Sequence, residues 1–559
     1  MMPTRVRPGN KSAEAEQTPE MIAAALEAFL ADHSQAVVVE DGKVLFDMRT
    51  AKYSLSTEHG RCALQVWGEE RNIVRRVSAA VERGTARDRM LRLTTHRFGQ
   101  TRPGSLELLA DKDRRTPSTR EATRMGYLRM LVRVMLRGRG DGWGDWKPDG
   151  FRTAMDLEKS FGPAYARGSL VQGQQAWAVI GVNAAEAQAT VDGILTLGVL
   201  WLAHCRETAG GRWLYRGLRV IVPKGMATLT ASRMAWMNAD AAQWELWELD
   251  EKTEELEQRD AADCGNLTTR LVHLPDEAAA RGRFAEATAQ VLALVPEARR
   301  EVVEQRIRGS AEVAFLWHGL EFARVRAGYA GMSFNRVQEI TFGAGANETV
   351  LTGENAGELR ELVARLFARR AAREKGAQVG GEKPDARDPL YRMQPERWLE
   401  SVLRRDVTAI DEHLDAAHVY TQVPAFAALD RGMLDLLSVD KDGRLAVIEL
   451  KADDDLHLAL QGLDYWVRVR WHHLQTSDSA GGPNFGLGEF QRHGYFAGVR
   501  LAEAAPLLYL VAPALRVHPA TEVVLRHLSP RVEWELVALG ERWREQVKVV
   551  WRKRSGGRA

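Results

Sequence analysis

The stretch Leu445-Ala-Val-Ile-Glu449-Leu-Lys451-Ala452 decides the fold of the C-terminal part of the chain. Its first four residues are apolar and predict a strand that is buried inside a sheet. Side chains alternate along a strand, so Glu449 and Lys451 share a face with Leu445. A carboxylate that follows such an apolar run belongs at a buried sheet edge or in a cleft, where a charge needs a partner.

A tight turn brings a second carboxylate to this strand. The sequence Asp440-Lys-Asp-Gly443 connects it to the preceding apolar strand, Met433–Val439. Folding the chain into a hairpin at that turn puts Asp435 opposite residues 448–450. The sequence therefore predicts that Asp435, Glu449 and the ammonium group of Lys451 lie together.

These three groups suit the hydrolysis of a phosphodiester bond. Adjacent carboxylates repel each other, and a divalent cation relieves the repulsion. Mg²⁺ prefers oxygen ligands, lowers the pKa of a bound water and polarises a phosphoryl oxygen. A neighbouring lysine orients that water and offsets the charge that builds on the phosphate. The alternative is a solvated pair of charges at a strand end, which is what a Glu-x-Lys triplet alone usually means.

The flanking segments favour a catalytic site. They are Glu396-Arg-Trp-Leu-Glu400, Gln422-Val-Pro424, Gly432-Met-Leu-Asp435, Ala446-Val-Ile-Glu449-Leu-Lys451 and Gln461-Gly-Leu-Asp-Tyr465. With them, residues 394–475, and more loosely the chain up to residue 540, resemble the PD-(D/E)XK nuclease superfamily. The branch that contains archaeal-type mismatch endonucleases and tRNA-splicing endonucleases is the most similar.

The resemblance implies a restriction-endonuclease-like αβββαβ core with Mg²⁺ or Mn²⁺ as cofactor. The catalytic residues that it implies are Asp435, Glu449, Lys451, Glu400, Gln461 and Tyr465. Asp435 and Glu449 would bind the metal, and Lys451 would position the attacking water. Gln461 and Tyr465, one helical turn apart, would face the cleft.

The first helix of this region offers two glutamates for the metal side of the site. Glu400 is preferred because it borders the apolar stripe formed by Leu399 and Leu403, and Glu396 is the alternative. Nucleic acid is the expected partner. The expectation of DNA rests on the resemblance, because contacts to phosphate do not identify the sugar.

The first half of the chain repeats part of this pattern. Trp177-Ala-Val-Ile-Gly-Val-Asn-Ala184 aligns with residues 445–452, and Asp192-Gly-Ile aligns with Gln461-Gly-Leu. Val222-Pro223 aligns with Ala512-Pro513, and Trp244-Glu-Leu with Trp534-Glu-Leu. This alignment puts Gly181 at the position of Glu449 and Asn183 at that of Lys451. We therefore expect a degenerate, inactive nuclease-like domain near residues 115–260.

A predicted helix over residues 120–137 precedes this repeat. Arg129, Arg133 and Arg137 lie along one edge of it, at a spacing of four residues. They are candidate contacts to nucleic-acid phosphates. The alternative is an unrelated α/β domain whose arginines only keep it in solution.

The length of 559 residues predicts several domains with mixed α/β sheets. The expected divisions are a β-rich domain over 1–112, the degenerate domain over 113–262, an α+β domain over 263–372, a polar linker over 373–393 and the nuclease-like domain over 394–559. No function is predicted for residues 265–372. The oligomeric state is not predicted.

Composition narrows the class of protein further. The net charge of +2 does not by itself indicate a nucleic-acid partner. No apolar run is long enough for a membrane span, and we expect a cytoplasmic protein. Cys62, Cys205 and Cys264 lie far apart without the spacing of a metal site. Two further hypotheses remain open: a nucleic-acid-binding protein with an idle site, and a scaffold protein.

Overall fold

The fold is that of a computed structural model, which describes part of the chain. The described residues are 17–34, 36–40, 43–48, 51–57, 60–67, 72–83, 89–96, 103–110, 117–137, 143, 146–153, 161–261, 270–329, 336–345, 349–370, 387–426, 433–474 and 488–556. The chain divides into two compact units, Met1–Thr123 and Arg124–Ala559. Both units combine helices with sheets, and the sheets that mix parallel and antiparallel strands belong to the second unit.

The first unit is an antiparallel sheet with one helix on it. Helix α1 (Pro19–Asp32) begins at Thr18, whose side chain accepts a hydrogen bond from the backbone N–H of Met21. The strands are β1 (Val37–Glu40), β2 (Lys43–Asp47), β3 (Lys52–Ser56), β4 (Cys62–Trp67), β5 (Asn72–Arg83), β6 (Met90–His96) and β7 (Gly104–Leu109). Their order in the sheet is β2-β1-β7-β6-β5-β4-β3.

The second unit contains two similar α/β bodies, which we call module A and module B. Module A spans residues 117–259, and the residues of its first helix up to Thr123 belong to the first unit. Its elements are α2 (Pro117–Arg137), β8 (Lys147–Arg152), β9 (Tyr165–Gln172), β10 (Gln175–Val182), α3 (Gln188–Asp192), α4 (Ile194–Thr208), β11 (Leu214–Pro223), α5 (Thr228–Met234), β12 (Gln243–Asp250) and β13 (Glu255–Arg259).

A third body, the middle module (residues 277–369), lies between modules A and B in the sequence. The short strand β14 (Arg270–Leu271) precedes it. Its elements are α6 (Glu277–Arg283), α7 (Ala285–Ala293), β15 (Glu304–Ile307), β16 (Glu312–Trp317), β17 (Leu320–Tyr329), β18 (Arg336–Phe342), β19 (Thr349–Val350) and α8 (Ala356–Arg369). The five strands form an antiparallel sheet in sequence order.

Module B spans residues 387–556 and has the order of elements predicted from the sequence, with two short helices and a last strand in addition. Its elements are α9 (Pro389–Arg392), α10 (Pro395–Arg405), β20 (Tyr420–Phe426), β21 (Met433–Val439), β22 (Leu445–Leu450), α11 (Leu458–Leu474), α12 (Glu489–Arg492), β23 (Leu507–Pro513), α13 (Pro519–Arg526), β24 (Trp534–Leu539) and β25 (Val549–Arg554). All six residues of β22 are buried, as expected of a central strand.

Modules A and B have the same sheet topology. The order is β8-β9-β10-β11-β12-β13 in module A and β20-β21-β22-β23-β24-β25 in module B, where β14 adds an edge strand beside β20. In both sheets the third and fourth strands and the fourth and fifth strands are parallel, and the outer pairs are antiparallel. The internal repeat predicted from the sequence is therefore present in the fold.

The register of the strands identifies equivalent positions. Leu218 pairs with Trp244 as Leu508 pairs with Trp534, so Val220 is equivalent to Leu510. Val220 in turn pairs with Ile180, whereas Leu510 pairs with Glu449.

The residue of module A at the position of Glu449 is therefore Ile180, and the sequence alignment, which put Gly181 there, is wrong by one residue. A shift of one residue turns a side chain to the other face of a sheet, and apolar strands contain little information to prevent it.

The glycines of the two central helices support this register. A Cβ atom on Gly198 of α4 would lie 2.8 Å from Leu218 Cδ2 and 3.0 Å from Ile180 Cγ2. A Cβ atom on Gly462 of α11 would lie 2.5 Å from Leu510 Cδ2 and 3.6 Å from Glu449 Cβ. In each module a glycine thus lets the helix approach the central strand. Gly198, and not Gly193 as aligned from the sequence, is the counterpart of Gly462.

The two modules share one hydrophobic core. The faces of the sheets that carry α4 and α11 contribute to a single cluster of buried side chains, whereas α2 and α10 cover the opposite faces with separate clusters. Met237, after α5, pairs with Leu528, after α13. The N–H groups of Asn238 and Ser529 donate to the carbonyls of His527 and Trp236, each at 2.8 Å. Equivalent segments therefore meet antiparallel, as at a two-fold axis.

A buried ion pair also joins the modules. The guanidinium of Arg233 on α5 donates to both carboxylate oxygens of Asp464 on α11, at 2.9 and 2.6 Å. Both side chains are about nine-tenths buried. Beside them, the rings of Trp236 and Trp466 meet edge to face with centroids 4.8 Å apart.

One buried arginine links the middle module to the start of module B through hydrogen bonds. Arg370, which follows α8, is fully buried and donates to the backbone carbonyls of His318, Leu390, Met393 and Gln394. Its guanidinium also lies 4.5 Å from the centre of the Trp398 ring. These contacts fix the chain where it enters α10.

Several sequence predictions concern residues outside this description. Cys264 and residues 371–386 of the predicted linker are among them, whereas Pro389–Arg392 within the linker range form a short helix. Cys62 and Cys205 are buried free thiols. Within the described residues no helix is both long and apolar enough to cross a membrane.

Replacing Arg233 by alanine should lower the stability of the second unit by about 3–5 kcal/mol, because Asp464 would keep a buried charge without its partner. The melting temperature measures this effect. Removing both side chains should restore part of the loss. Arg281→Ala, which breaks an exposed pair with Glu277, is the matched control and should change stability by less than about 1 kcal/mol. Equal effects of the two single variants would contradict a joint that depends on this pair.

Candidate active site

The hairpin of β21 and β22 brings the predicted carboxylates together. Leu436 pairs with Ile448 and Val439 with Leu445, so the register continues to Asp435 beside Glu449. The Oδ2 atom of Asp435 accepts a hydrogen bond of 2.9 Å from the backbone N–H of Leu450. The side chain of Asp435 is thereby fixed at the carboxyl end of the central strand.

Lys451 lies among several carboxylates just past the end of β22. Its Nζ atom is 3.3 Å from Oε1 of Glu449, 3.7 Å from Oδ2 of Asp455 and 3.9 Å from Oε1 of Glu396. Burial lowers the pKa of Lys451, but these carboxylates and Asp435 outweigh it and raise the pKa to about 12. Four carboxylates around one ammonium group leave a local excess of negative charge.

Among the carboxylates of the site, Glu449 is the most costly to keep ionised. Its side chain is 2% exposed, and its buried Oε2 atom receives no hydrogen bond from a donor among the described residues. The Asp435 carboxyl group lies within hydrogen-bonding reach of the Glu449 side chain. Burial, followed by the charge of Asp435, raises the pKa of Glu449 well above its usual value. Burial also raises the pKa of Asp435, although the N–H of Leu450 opposes the shift. A cation beside these two carboxylates would relieve both effects.

The two glutamates of α10 have different partners. Glu400 is 1% exposed and accepts hydrogen bonds from Arg306 at 2.8 Å, from Arg397 at 3.0 Å and from Gln422 at 3.0 Å. Glu396, by contrast, is half-buried beside Lys451. The contacts thus place Glu396 nearer to the predicted catalytic lysine, whereas the sequence analysis preferred Glu400.

Arg306 is a contributor that sequence reasoning did not identify, and Gln422 was named there only as part of a flanking segment, without a role. Arg306 belongs to β15 of the middle module and reaches Glu400 across a long sequence separation, so no local pattern signals it. Gln422 has a φ of 52° at the position in β20 opposite Asp435, between the pairs Thr421–Leu436 and Val423–Leu434. Such a backbone costs free energy for any residue other than glycine, and strain of this kind is common at functional sites.

Helix α11 supplies the remaining predicted residues. The approach of Gly462 to the sheet brings the neighbouring turns of α11 close to Glu449. Burial and the charges of Glu449 and Asp435 raise the pKa of Tyr465, whose hydroxyl group therefore stays protonated at neutral pH. Gln461 is half-buried one turn earlier on the same edge. His457, at the start of α11, contacts the hydroxyl group of Thr196 in module A at 3.1 Å.

Module A has different chemistry at the equivalent positions. Ile180 stands in place of Glu449, and the same register puts Val182 in place of Lys451. Arg167, which pairs with Ile180, stands in place of Asp435. It is buried against the rings of Phe161 and Trp201, at 4.7 and 5.7 Å from their centres. A guanidinium with two aliphatic side chains provides no oxygen ligand for a cation.

Two of the three α2 arginines that were predicted to contact phosphate already pair with a carboxylate. Arg133 and Arg137 both pair with Glu254, the latter at 2.7 Å, while Arg129 is exposed. The pairing weakens the case for these arginines as a phosphate-binding row, because a phosphate would have to compete with Glu254.

The residues fit a magnesium site made of two carboxylates. Among the described residues no group of three or more His, Cys, Asp or Glu side chains is arranged to hold a metal ion. Mg²⁺, however, commonly takes only one or two carboxylates and keeps waters or substrate phosphates as its other ligands. Asp435 and Glu449, whose carboxyl groups lie side by side, meet that requirement.

Comparison with known proteins adds no assignment. No protein-family model matches the chain, and no curated protein matches it.

Replacing Glu449 by glutamine should raise the melting temperature of the metal-free protein near pH 8, by the equivalent of about 1–3 kcal/mol. The pKa of Glu449 is raised in the folded state, so its contribution to stability is complete below the unfolded pKa and is lost as the pH rises through the folded pKa. The gain should therefore shrink toward pH 4.5. Melting curves in EDTA across this range measure it. A variant less stable than the original at pH 8 would show that Lys451 compensates the buried charge.

The contacts of α10 predict different effects for its two glutamates. Glu396→Gln should reduce any metal-dependent activity, since it removes a carboxylate beside Lys451. Glu400→Gln should chiefly lower the melting temperature, because Arg306 and Arg397 lose a charged acceptor. Activity and melting temperature measured on both variants test this. The reverse pattern would return Glu400 to the role that the sequence analysis preferred.

Proposed function

We propose that this protein is a metal-dependent nuclease that hydrolyses phosphodiester bonds, with DNA as the expected substrate. Module B would be its PD-(D/E)XK-type catalytic domain, and module A an inactive copy of the same fold. The observation that carries the proposal is the adjacency of the Glu449 and Asp435 carboxyl groups beside Lys451, with no hydrogen-bond donor to the buried Oε2 atom of Glu449 among the described residues.

A buried charge without compensation is costly, and ordinary packing would replace it. A glutamine or an apolar residue at position 449 would fit an all-apolar central strand at lower cost. Glutamate at this position, beside a second carboxylate, is favoured where a metal cation is recruited. This is why the pattern supports a working site rather than a solvated pair of charges at a strand end.

Each group would have a separate task in the reaction. Asp435 and Glu449 would hold Mg²⁺ or Mn²⁺, which when bound activates a water and polarises the phosphoryl group. Lys451 stays protonated because its pKa lies near 12, so it would donate a hydrogen bond to the attacking water or to a phosphate oxygen. The charged Nζ atom would also offset negative charge that builds on the phosphate.

The remaining side chains would orient these groups. Tyr465 keeps its proton and can donate a hydrogen bond near the two carboxylates. Gln461 can both donate and accept from the same edge of α11. Glu396 beside Lys451 would hold the ammonium group in place. Glu400, neutralised by Arg306 and Arg397, would anchor α10 rather than take part in the chemistry.

The order of elements in module B is consistent with the proposal. Helix α10, the strands β20 to β22, helix α11 and strand β23 follow one another as αβββαβ, which is the core that the sequence resemblance implies. The carboxylates lie at the carboxyl end of its central strand. A common fold can host many functions, so the side chains at this end carry more weight than the topology.

The decisive experiment incubates the protein with single- and double-stranded DNA and RNA in Mg²⁺, Mn²⁺ or EDTA. We expect cleavage that requires a metal and is lost in Glu449→Gln and in Lys451→Ala. Each substitution should reduce the rate by at least about 100-fold, since each removes a group that contacts the reacting phosphate, its metal or the water.

Glu535→Gln is the matched control for these variants. Glu535 is as buried as Glu449 and lies on β24 of the same sheet, but it pairs with Arg552 and Arg554 away from the site. Its variant should keep metal-dependent cleavage. Binding of nucleic acid without cleavage would instead favour a binding protein with an idle site. Absence of both activities would favour a scaffold.

A further inference from the structure

The acidic site of Glu449 in module B and its counterpart around Ile180 in module A occupy equivalent positions about a pseudo-two-fold axis. The antiparallel pairing of Met237 with Leu528 marks one point of that axis. A second point lies where α4 and α11 begin. A Cβ atom on Gly193 would lie only 2.7 Å from the Cε1 atom of His457. The equivalence of Gly198 with Gly462 makes Gly193 and His457 counterparts, so each module contacts its own equivalent.

The meeting of these two helices fixes where the sites lie. Each helix begins near the carboxyl end of its central strand, β10 in module A and β22 in module B. The site of Glu449 and the equivalent position of Ile180 therefore lie on the same side of the paired modules, one on either side of the axis. The backbones of a duplex are related by two-fold axes in the same way, and two-fold proteins commonly match them.

Only one of the two positions can support hydrolysis. Module B offers Asp435, Glu449 and Lys451. Module A offers Arg167, Ile180 and Val182, and the Arg167 guanidinium would repel a metal cation. Trp201 occupies the position of Tyr465, three residues beyond the paired glycines Gly198 and Gly462, and packs near Arg167. The chain thus has the pseudo-two-fold symmetry of a dimer that would contact both strands of a duplex, but only module B has the groups needed to hydrolyse one of them.

We propose that the protein engages a nucleic-acid duplex across both modules and cuts only the strand that faces module B, leaving a nick. This inference rests on the proposed nuclease function. Module A would hold the uncut strand, which would give the topology it shares with module B a use although it lacks the equivalents of Asp435, Glu449 and Lys451. The product would be an open-circular rather than a linear molecule when the duplex is a closed circle.

Supercoiled plasmid DNA with Mg²⁺ tests the inference on the full chain. We expect supercoiled DNA to become open-circular in the first turnover. Linear DNA should appear only after a lag, once independent nicks on both strands have accumulated. A short DNA duplex labelled separately on each strand should show one cut strand per molecule. The same measurement on a labelled RNA duplex tests whether RNA is the substrate.

Three outcomes separate the inference from the function on which it rests. Linear DNA without an open-circular intermediate would overturn the inference and leave the nuclease function standing. Metal-dependent cleavage of single strands alone would do the same, because the duplex would not be the substrate. No cleavage of any nucleic acid would overturn the nuclease function itself. Glu449→Gln must abolish both nicks and linear product, and Glu535→Gln must abolish neither.

Discussion

The cost of burying the Glu449 carboxylate at the end of an apolar central strand governs the construction of module B. Lys451 contacts one oxygen of this carboxylate, and no donor in the described part of the chain hydrogen-bonds to the other, buried oxygen. The hairpin turn adds Asp435, which increases the electrostatic cost. Helix α11 can cover this point only because Gly462 lets its backbone approach the strand. The local sequence is thus organised around a negative charge that the protein alone does not balance.

The same constraint explains which features the sequence predicted well. The apolar run from Leu445 and the turn at Gly443 set the register of the hairpin, because both act between near neighbours. The order of helices and strands in module B followed from similar local patterns. The juxtaposition of Asp435, Glu449 and Lys451 therefore required no knowledge of the rest of the fold.

Features that depend on distant parts of the chain were not predicted. Arg306 comes from the middle module, and no local sequence pattern near Glu400 indicates that an arginine will pair with it. Glu254, the partner of Arg133 and Arg137, follows them in the sequence by 121 and 117 residues. The one-residue error that placed Gly181 at the position of Glu449 has the same origin. Strings of apolar residues align almost equally well in two registers, and only packing against α4 or α2 distinguishes the faces.

The contacts of Arg370 have a consequence for how the protein can be divided. One side chain closes five hydrogen bonds to backbone carbonyls on both sides of residues 371–386. Cutting the chain there, or transplanting module B alone, would remove the donor and leave these carbonyls buried or newly hydrated at the entrance to α10. We therefore expect the middle module and module B to fold as one piece, so that the boundary between them is a poor place to divide the protein although its sequence resembles a linker.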